Sequence, residues 1–404
     1  MKLVSIPDEK YDDYRVDAIF DCYKWDPQFL DNGTLAKCAL VISEEEYDEL
    51  VKLTENLDLE TREAEEFLNM NLNLAKPLNL PSKIYKELSK MGNYNSDNNI
   101  RLMRYDFHPI VDGGFAISEV NSDVPGGFAE ASLLPKLAMK TLGGNKYFSV
   151  DFGDILSKAI SSKVKSGGTI MFVHCTSYSD DRQVMQFIGD KMAALGFKSI
   201  YGAADHLKFV NKRAISVLDG YEGEVDCIFR FTPLEWLKDI KPKTWDGYFD
   251  TLTPSCNHPV AIFAQTKRFP LVWDCLENNG IKLDTWKRLL PETIEVKDVK
   301  GREGYIFKPA CGRVGEKISI REACQDEEYI QIMNDVKKHP KDYVAQKKFI
   351  SKPLKGPSGK EFHVCLGSYT VDGKHAGFYA RISETLRIDS NAADIPVLIE
   401  RKEK

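Results

Sequence analysis

The chain has no uninterrupted apolar run long enough to cross a bilayer. Its first residues, Met1-Lys-Leu-Val-Ser-Ile-Pro-Asp-Glu-Lys10, hold no apolar core of secretory type. Both absences point to a cytoplasmic protein. There is no Cys-x-x-Cys pair either. The nine cysteines (Cys22, Cys38, Cys175, Cys227, Cys256, Cys275, Cys311, Cys324 and Cys365) are odd in number and scattered, which excludes a disulfide framework and a sulfur-rich zinc site. Asn32-Gly33-Thr34 fits the glycosylation sequon, a chance match in a cytoplasmic chain. Positive charge is in deficit: the net charge of −6 speaks against nucleic acid or a membrane surface as partner, since each favours a basic face. Gly-x-x-x-x-Gly-Lys-Ser/Thr, Gly-x-Gly-x-x-Gly, His-Glu-x-x-His and Gly-x-Ser-x-Gly are all missing. Gly356-Pro-Ser-Gly-Lys360 has something of a phosphate loop's composition, but neither its spacing nor a helix after it.

What remains is an ordinary globular composition, 43% hydrophobic and 29% charged over 404 residues. That length suits about two or three domain-sized units. There is no internal repeat or low-complexity segment. Residues 43–90 are acidic and helical in pattern, with Pro77 and Pro81 as breaks. After Gly167-Gly168, the apolar run 169–175 reads as a buried strand and 181–195 as a helix, with Val184, Phe187, Ile188, Met192 and Leu195 on one face and Gly196 as C-cap. A strand at 198–201 completes a β-α-β unit of doubly wound character. Strands follow at 304–308 and 343–349, then a hairpin pairing 361–371 with 375–381 around Asp372-Gly373. The fold class expected is mixed α+β and α/β, with several sheets flanked by helices.

An earlier hairpin carries chemistry. With 101–107 and 115–121 as strands and Asp112-Gly113 as a two-residue turn, Asp106 faces Glu119 and Arg104 faces Asn121, all on one side of the sheet. Two opposed carboxylates repel each other unless a cation lies between them. Asp106, Glu119 and Asn121 offer only oxygen, which suits magnesium with phosphate or water completing its sphere. The same residues also suit a solvated hairpin end, and Pro109 unsettles the register; both readings stand at this point.

The residues resemble a known family. Arg104-Tyr-Asp106 followed by Glu119-Val-Asn121-Ser-Asp123 is similar to the Arg-x-Asp and Glu-x-Asn-x-Asp signatures of glutathionylspermidine synthase. Lys308-Pro-Ala-Cys-Gly-Arg-Val-Gly315 resembles its Lys-Pro-x-x-Gly-Arg-x-Gly loop, and Tyr369–Arg381 with Ala393-Asp-Ile-Pro396 its C-terminal strand pair. The similarity runs in segments from about residue 100 to the end, with 1–100 matching loosely. The resemblance implies a permuted ATP-grasp fold, in which the metal strand precedes the nucleotide lysines. It divides the chain into a central region (1–165 and 346–404), a doubly wound substrate-side domain (166–260) and a small nucleotide-binding lid (261–345). It also implies the reaction: ATP phosphorylates a carboxylate, and an amine displaces the phosphate to give an amide.

Carried over residue by residue, Asp106, Glu119 and Asn121 would hold Mg2+ against ATP. Lys267, Lys308 and the loop glycines Gly312 and Gly315 would meet the phosphates, and Gln346 the adenine. Arg104, Arg313 and Arg381 would steady the transferring phosphoryl group and the acceptor carboxylate. Asp180 and Asp181 are explained equally by helix-start chemistry and by an ammonium contact. Glu235, beside an aromatic pair, has no assigned role. The histidines, His174 and His363 among them, lack metal or triad spacing.

The chain also departs from the family. Where the bifunctional enzyme has serines that contact glutathione, this chain has Val124 and Gly126, which donate no hydroxyl hydrogen bond. The acid substrate is therefore expected to differ. The N-terminal amidase is expected to be missing too. The reading reached is an ATP- and Mg2+-dependent ligase joining a small-molecule or peptide carboxylate to an amine. Alternatives are a silent ATP-binding module acting through a partner, or a ligase of the same fold that modifies a peptide or protein terminus.

Overall fold

The computed structural model describes residues 1–30, 32–92, 94, 96–143, 145–312 and 315–402. Its centre is a six-stranded antiparallel sheet. Ala393–Ile395, Lys374–Ser383, Glu361–Val371, Leu102–Pro109 and Phe115–Asn121 lie side by side in that order, and Leu354–Lys355 pairs with Glu361–Val371 at its start.

The two faces of this sheet differ because side chains alternate along each strand. One face is covered by the long helix Glu44–Met70. That helix begins at a reciprocal cap: Ser43 accepts from the Glu46 backbone N–H at 3.2 Å, and Glu46 accepts from that of Ser43 at 2.9 Å. Its buried stripe, Leu50, Leu53, Leu57, Thr61, Ala64 and Leu68, recurs at three- and four-residue steps. It meets Met103, Tyr105 and Phe107 of the sheet, all buried. Polar seams fix the register between the layers: Thr54 to Ser368 at 2.8 Å, Thr370 to Asp58 at 2.7 Å, and Thr61 with the Tyr105 hydroxyl at 3.2 Å. The residues between, Arg104 and Asp106 among them, therefore point to the other face.

Among the described residues five smaller sheets accompany this one, three of which bear on the site. A four-stranded parallel sheet runs Ser255–Cys256, Cys227–Arg230, Thr169–Val173, Lys198–Gly202, with the helix Ser179–Ala194 crossing over between the last two strands. This is the expected β-α-β unit, with the helix starting two residues earlier than the pattern suggests. Val184, Phe187, Ile188 and Met192 are buried as expected, but Leu195 is 56% exposed. It sits at the C-cap, where the chain has left the helical face, followed by Gly196 at φ +87°. A small antiparallel sheet joins Thr293–Ile294, Tyr343–Lys347 and Tyr305–Pro309, with the helix Asp326–Lys338 beside it. Another four-stranded sheet, Lys2–Ser5, Cys38–Ser43, Val397–Glu400 and Tyr147–Phe148, brings the two ends of the chain together. No described helix is long and apolar enough to cross a membrane.

Candidate active site

The hairpin Leu102–Pro109/Phe115–Asn121 is not regular. Arg104 faces Asn121 and Tyr105 faces Val120, as expected, but Phe107 pairs with Ile117 and Pro109 with Phe115. The register slips across Asp106, so Ser118 and Glu119 together oppose that residue in a bulge. The expected two-residue turn is thus corrected: the connection is the longer loop 110–114, which carries Gly113 and Gly114 at φ +88° and +73°. Asp106 and Glu119 are not a directly opposed pair.

The bulge leaves each acidic group its own cation. Arg104 forks onto Asp106, Nε to Oδ1 at 2.8 Å and Nη2 to Oδ2 at 3.0 Å, and Asn121 donates to Oδ2 at 3.0 Å. Gly367, directly opposite Asp106, makes room for this: a Cβ there would lie 2.7 Å from Arg104 Cδ. Lys267 Nζ stands 2.7 Å from Glu119 Oε2. Lys308 Nζ donates to the carbonyl of Ser118, the bulged residue, at 3.1 Å. Burial alone would raise the Glu119 carboxyl, but Lys267, Lys308 and Arg104 outweigh it and hold it below its ordinary range. Burial keeps Asp106 above its ordinary range despite Arg104. Burial, with Lys267 adding to it, brings Lys308 down to about 8.

The nucleotide residues named from sequence gather near these groups. Lys267 also donates to the Gly312 carbonyl at 2.9 Å, and its backbone N–H bonds Ala310 at 2.9 Å, which ties the 265–268 segment to the 308–312 loop. Gln346 is buried; its amide donates to Thr293 at 3.0 Å, and its Oε1 has no partner among the described residues. It lines a small cavity with Glu119, Thr266, Lys267, Trp286 and Leu290. Gly315, at φ +66°, lies where a Cβ would be 2.5 Å from the Ile388 carbonyl. Close packing against the Ile388 backbone thus accounts for that glycine, with no phosphate required. Arg313 lies outside the described residues.

The arginines extend the face away from the lysines. Arg104 Nη1 donates to the Gly126 carbonyl at 3.0 Å, which also accepts from Tyr369, and its guanidinium lies 5.1 Å from the Tyr379 ring centre. Arg381 donates to the carbonyls of Asp389 at 2.7 Å and Ala392 at 3.0 Å, and its Nε is 3.7 Å from Asp394. It therefore anchors the 389–394 loop as well as facing the site. Val124 packs against the second apolar cluster, which explains an apolar residue there. A Cβ on Gly126 would meet only the Phe231 ring edge at an ordinary 3.7 Å, so steric crowding does not account for that glycine. Asp180 and Asp181 stand in the first turn of Ser179–Ala194, Asp180 exposed and Asp181 half-buried, while the residue at the N-cap itself is Tyr178.

Several neighbouring residues carry no role assigned from sequence. Asp123 is buried in an ion pair with Arg230 and accepts from the Leu234 backbone at 2.8 Å, clamping the end of Phe115–Asn121 to the parallel sheet. Gln265 accepts from the backbones of Ser122 and Asp123 at 2.9 and 2.8 Å. Cys365 faces Arg381 across the sheet, where burial and the nearby Asp106 push its thiol well up. At the far end Lys24 is ringed by Asp26, Glu130 and Asp394. Strand alternation in the hairpin pairing 361–371 with 375–381 gives away Tyr379 and Cys365; nothing local gives away Lys24.

Among the described residues no three His, Cys, Asp or Glu side chains are placed to hold a metal ion by themselves. The candidate donors are two carboxylates and an amide, an all-oxygen set that fits Mg2+ provided other ligands complete it. Arg104, Lys267 and Lys308 already exceed Asp106 and Glu119 in charge. A dication is favourable here only together with a strongly anionic ligand, which is how magnesium travels with a nucleotide.

No curated protein matches the sequence. Among solved structures, a glutathione synthetase-like effector from Globodera pallida, determined without ligand, aligns at TM-score 0.63 and 11% identity over 97% of each chain, showing a shared fold. A protein assigned as a gamma-glutamylcysteine synthetase from Methylobacillus flagellatus KT aligns at TM-score 0.44 and 13% identity over 85% of this chain and 86% of its own, too slight a likeness to argue from. The family model of the glutathionylspermidine synthase preATP-grasp matches residues 27–400. The chain belongs to that family, and the match reaches well into the N-terminal region where the motifs resemble it only loosely.

Proposed function

From that membership, we propose that the protein is an ATP- and Mg2+-dependent ligase that joins a peptide or amino-acid carboxylate to an amine through an acyl-phosphate. One observation supports this most. Three cations from three separate segments, Arg104, Lys267 and Lys308, converge on the Asp106–Glu119–Asn121 face beside the Gln346 cavity. Such an array is what a triphosphate and its metal require.

In this reading Lys267 and Lys308 leave their protein partners for the phosphates, and the unpartnered Gln346 oxygen accepts from the adenine amino group. Asp106, Glu119 and Asn121 hold magnesium, which supplies charge neutralisation at the transferring phosphoryl group. Arg104, Arg313 and Arg381 orient the acceptor carboxylate. One of its oxygens attacks the γ-phosphorus and ADP leaves; the amine then attacks the acyl carbon, loses a proton and expels phosphate. Asp180 and Asp181 attract the ammonium form of the amine. The permuted ATP-grasp arrangement, with 261–345 as lid over the central region and 166–260 on the substrate side, belongs to the same proposal, as does a cytoplasmic setting.

The test is ADP release by wild type and Glu119→Ala, with magnesium, against pooled short peptides, amino acids and polyamines. Turnover lost on substitution supports the ligase. ATP binding without ADP release in any pool would replace it with a silent nucleotide-binding module.

A further inference from the structure

The far end of the site face holds a buried cation that the ligase chemistry does not use. Lys24 Nζ lies 2.6 Å from Asp394 Oδ2, 2.8 Å from Asp26 Oδ1 and 3.4 Å from Glu130 Oε1, and the residue is 1% exposed. An ammonium has three N–H donors and no acceptor, and here three carboxylates surround it. The carboxylates are held in place by others: Tyr379 donates to Asp394 at 2.7 Å, and Gln183 to Glu130 at 3.0 Å. Glu130, only 8% exposed, keeps one oxygen, Oε2, that has no hydrogen-bond partner among the described residues. Three carboxylates against Lys24 and the nearby Arg381 leave the cluster negative. A buried carboxylate oxygen without a donor is costly unless a ligand or water supplies one. The cluster is thus shaped for a cation, and a protein side chain fills it.

Its position gives this a consequence. Tyr379 touches both Arg104 and Asp394, so the pocket adjoins the arginines that would orient the acyl group. Lys24 and Asp26 both precede the stretch 27–400 shared with the family. The strap bearing them is tied to the same strand as Asp394: Asp394 N–H bonds the Thr34 carbonyl at 2.7 Å, and Ala36 N–H bonds the Asp394 carbonyl at 2.9 Å. Thr34 N–H in turn reaches Pro27 at 3.1 Å, and Lys24 N–H reaches Ala18 at 3.0 Å. Lys24 is fixed in place at both ends of the strap.

We propose that Lys24 is a tethered ammonium that fills the cation pocket beside the acyl-orienting arginines and shuts out amines bearing a second positive charge. The second substrate is then an amine whose only charge is on the reacting nitrogen, not a polyamine. The amine class rests on the ligase reading; occupation of the pocket does not.

Calorimetric titration with spermidine and with n-propylammonium, which replaces the atoms lost in Lys24→Ala, separates the two without any turnover. Wild type shows no Glu130-dependent binding of either up to about 10 mM, whereas Lys24→Ala binds both about tenfold or more tightly than that limit. Adding Glu130→Gln to Lys24→Ala weakens both. Because removing a buried cation alone can unfold the chain, Lys24→Ala/Asp26→Asn, which removes one charge of each sign, is titrated in parallel. Saturable spermidine binding to wild type that Glu130→Gln weakens would overturn the proposal, as would a folded Lys24 variant that binds neither probe. If ADP release is found, kcat/KM for polyamines relative to monoamines rises about tenfold or more in the Lys24 variant; an unchanged ratio would overturn the amine class. If ADP release is absent throughout, the ligase reading falls while the titration still decides the pocket.

Discussion

Two hairpins lie in one sheet, and they were built to different rules. The hairpin Glu361–Val371/Lys374–Ser383 closes through Asp372-Gly373, at φ +49° and +81°, with Val371 facing Lys374, and takes up one extra residue, Ala376, just beyond the turn. Both central residues are left-handed, the conformation that matches the twist of a tight hairpin. The hairpin Leu102–Pro109/Phe115–Asn121 also has an Asp-Gly pair, yet its turn opens to 110–114 and its register slips by a residue. The difference comes from a third segment. Ile110 bridges Ser351, Val111 N–H bonds Ile350 at 3.2 Å, and Lys352 N–H bonds Pro109 at 2.8 Å. Tertiary pairing captures the Val111 N–H that a two-residue turn would need, and the chain closes one residue earlier, Ile110 bonding the Gly113 N–H at 3.1 Å and the Gly114 carbonyl at 3.3 Å. The slip is then absorbed at Ser118–Glu119, inside the candidate site. Each hairpin slips by one residue, but the slip between Tyr369 and Thr370 lies beside its turn, whereas the slip at Ser118–Glu119 falls where chemistry is proposed.

The comparison breaks most decisively at Glu119. Glu119→Ala is expected to reduce ADP release by about 10³-fold or more, since it removes a proposed metal ligand, while the thermal midpoint stays close to wild type. Retained turnover would make the bulge an accident of packing. Deleting Ser118 asks the same of the backbone. It restores regular pairing, sets the glutamate directly opposite Asp106 and removes the carbonyl that Lys308 uses. ADP release should fall by about 10²-fold in a protein that still unfolds cooperatively, as misplacement by a fraction of an ångström to an ångström does elsewhere. A fully active deletion variant would deny the bulge any role. Gly373→Ala tests the other hairpin. The added Cβ meets Asp58 at an ordinary 3.6 Å, so only the left-handed backbone is strained. The expected loss is about 1–2 kcal/mol in urea unfolding, with turnover nearly unchanged. A larger effect on activity than on stability would contradict the division of labour.

How much of this was legible follows the same line. The Asp372-Gly373 turn, the 169–202 β-α-β unit and the capped acidic helix after Ser43 are written in neighbouring residues, and the structure has them. Arg104 opposite Asn121 was readable from alternation alone. The slip at Asp106 was not, because its cause is the 350–352 segment, far away in the chain. Lys24 was invisible for a related reason: its three carboxylates come from positions 26, 130 and 394. A lysine in Lys24-Trp-Asp-Pro27 has nothing local to distinguish it from a solvated one.

The smallest expected effect is a proton. Burial, reinforced by Lys267 and opposed by Glu119 and Asp106, brings Lys308 from its ordinary 10.5 down to about 8. Between those values the unfolded chain holds the proton and the folded chain does not, so Lys308 makes folding stability rise with pH across that window. Below it both states are protonated, and the cost of burying the charge is felt in full. A triphosphate arriving beside Lys308 favours the charged form and raises its pKa again, so ATP binding should take up a proton where the free protein has lost it. Titration in two buffers of different ionisation enthalpy should show uptake approaching about one proton near pH 9 and about none near pH 7. Lys308→Met should abolish the difference. Equal uptake in that variant would place the proton elsewhere and remove Lys308 from the phosphates. Its link to the bulge through the Ser118 carbonyl would then be structural, and the contrast between the two hairpins would rest on Glu119 alone.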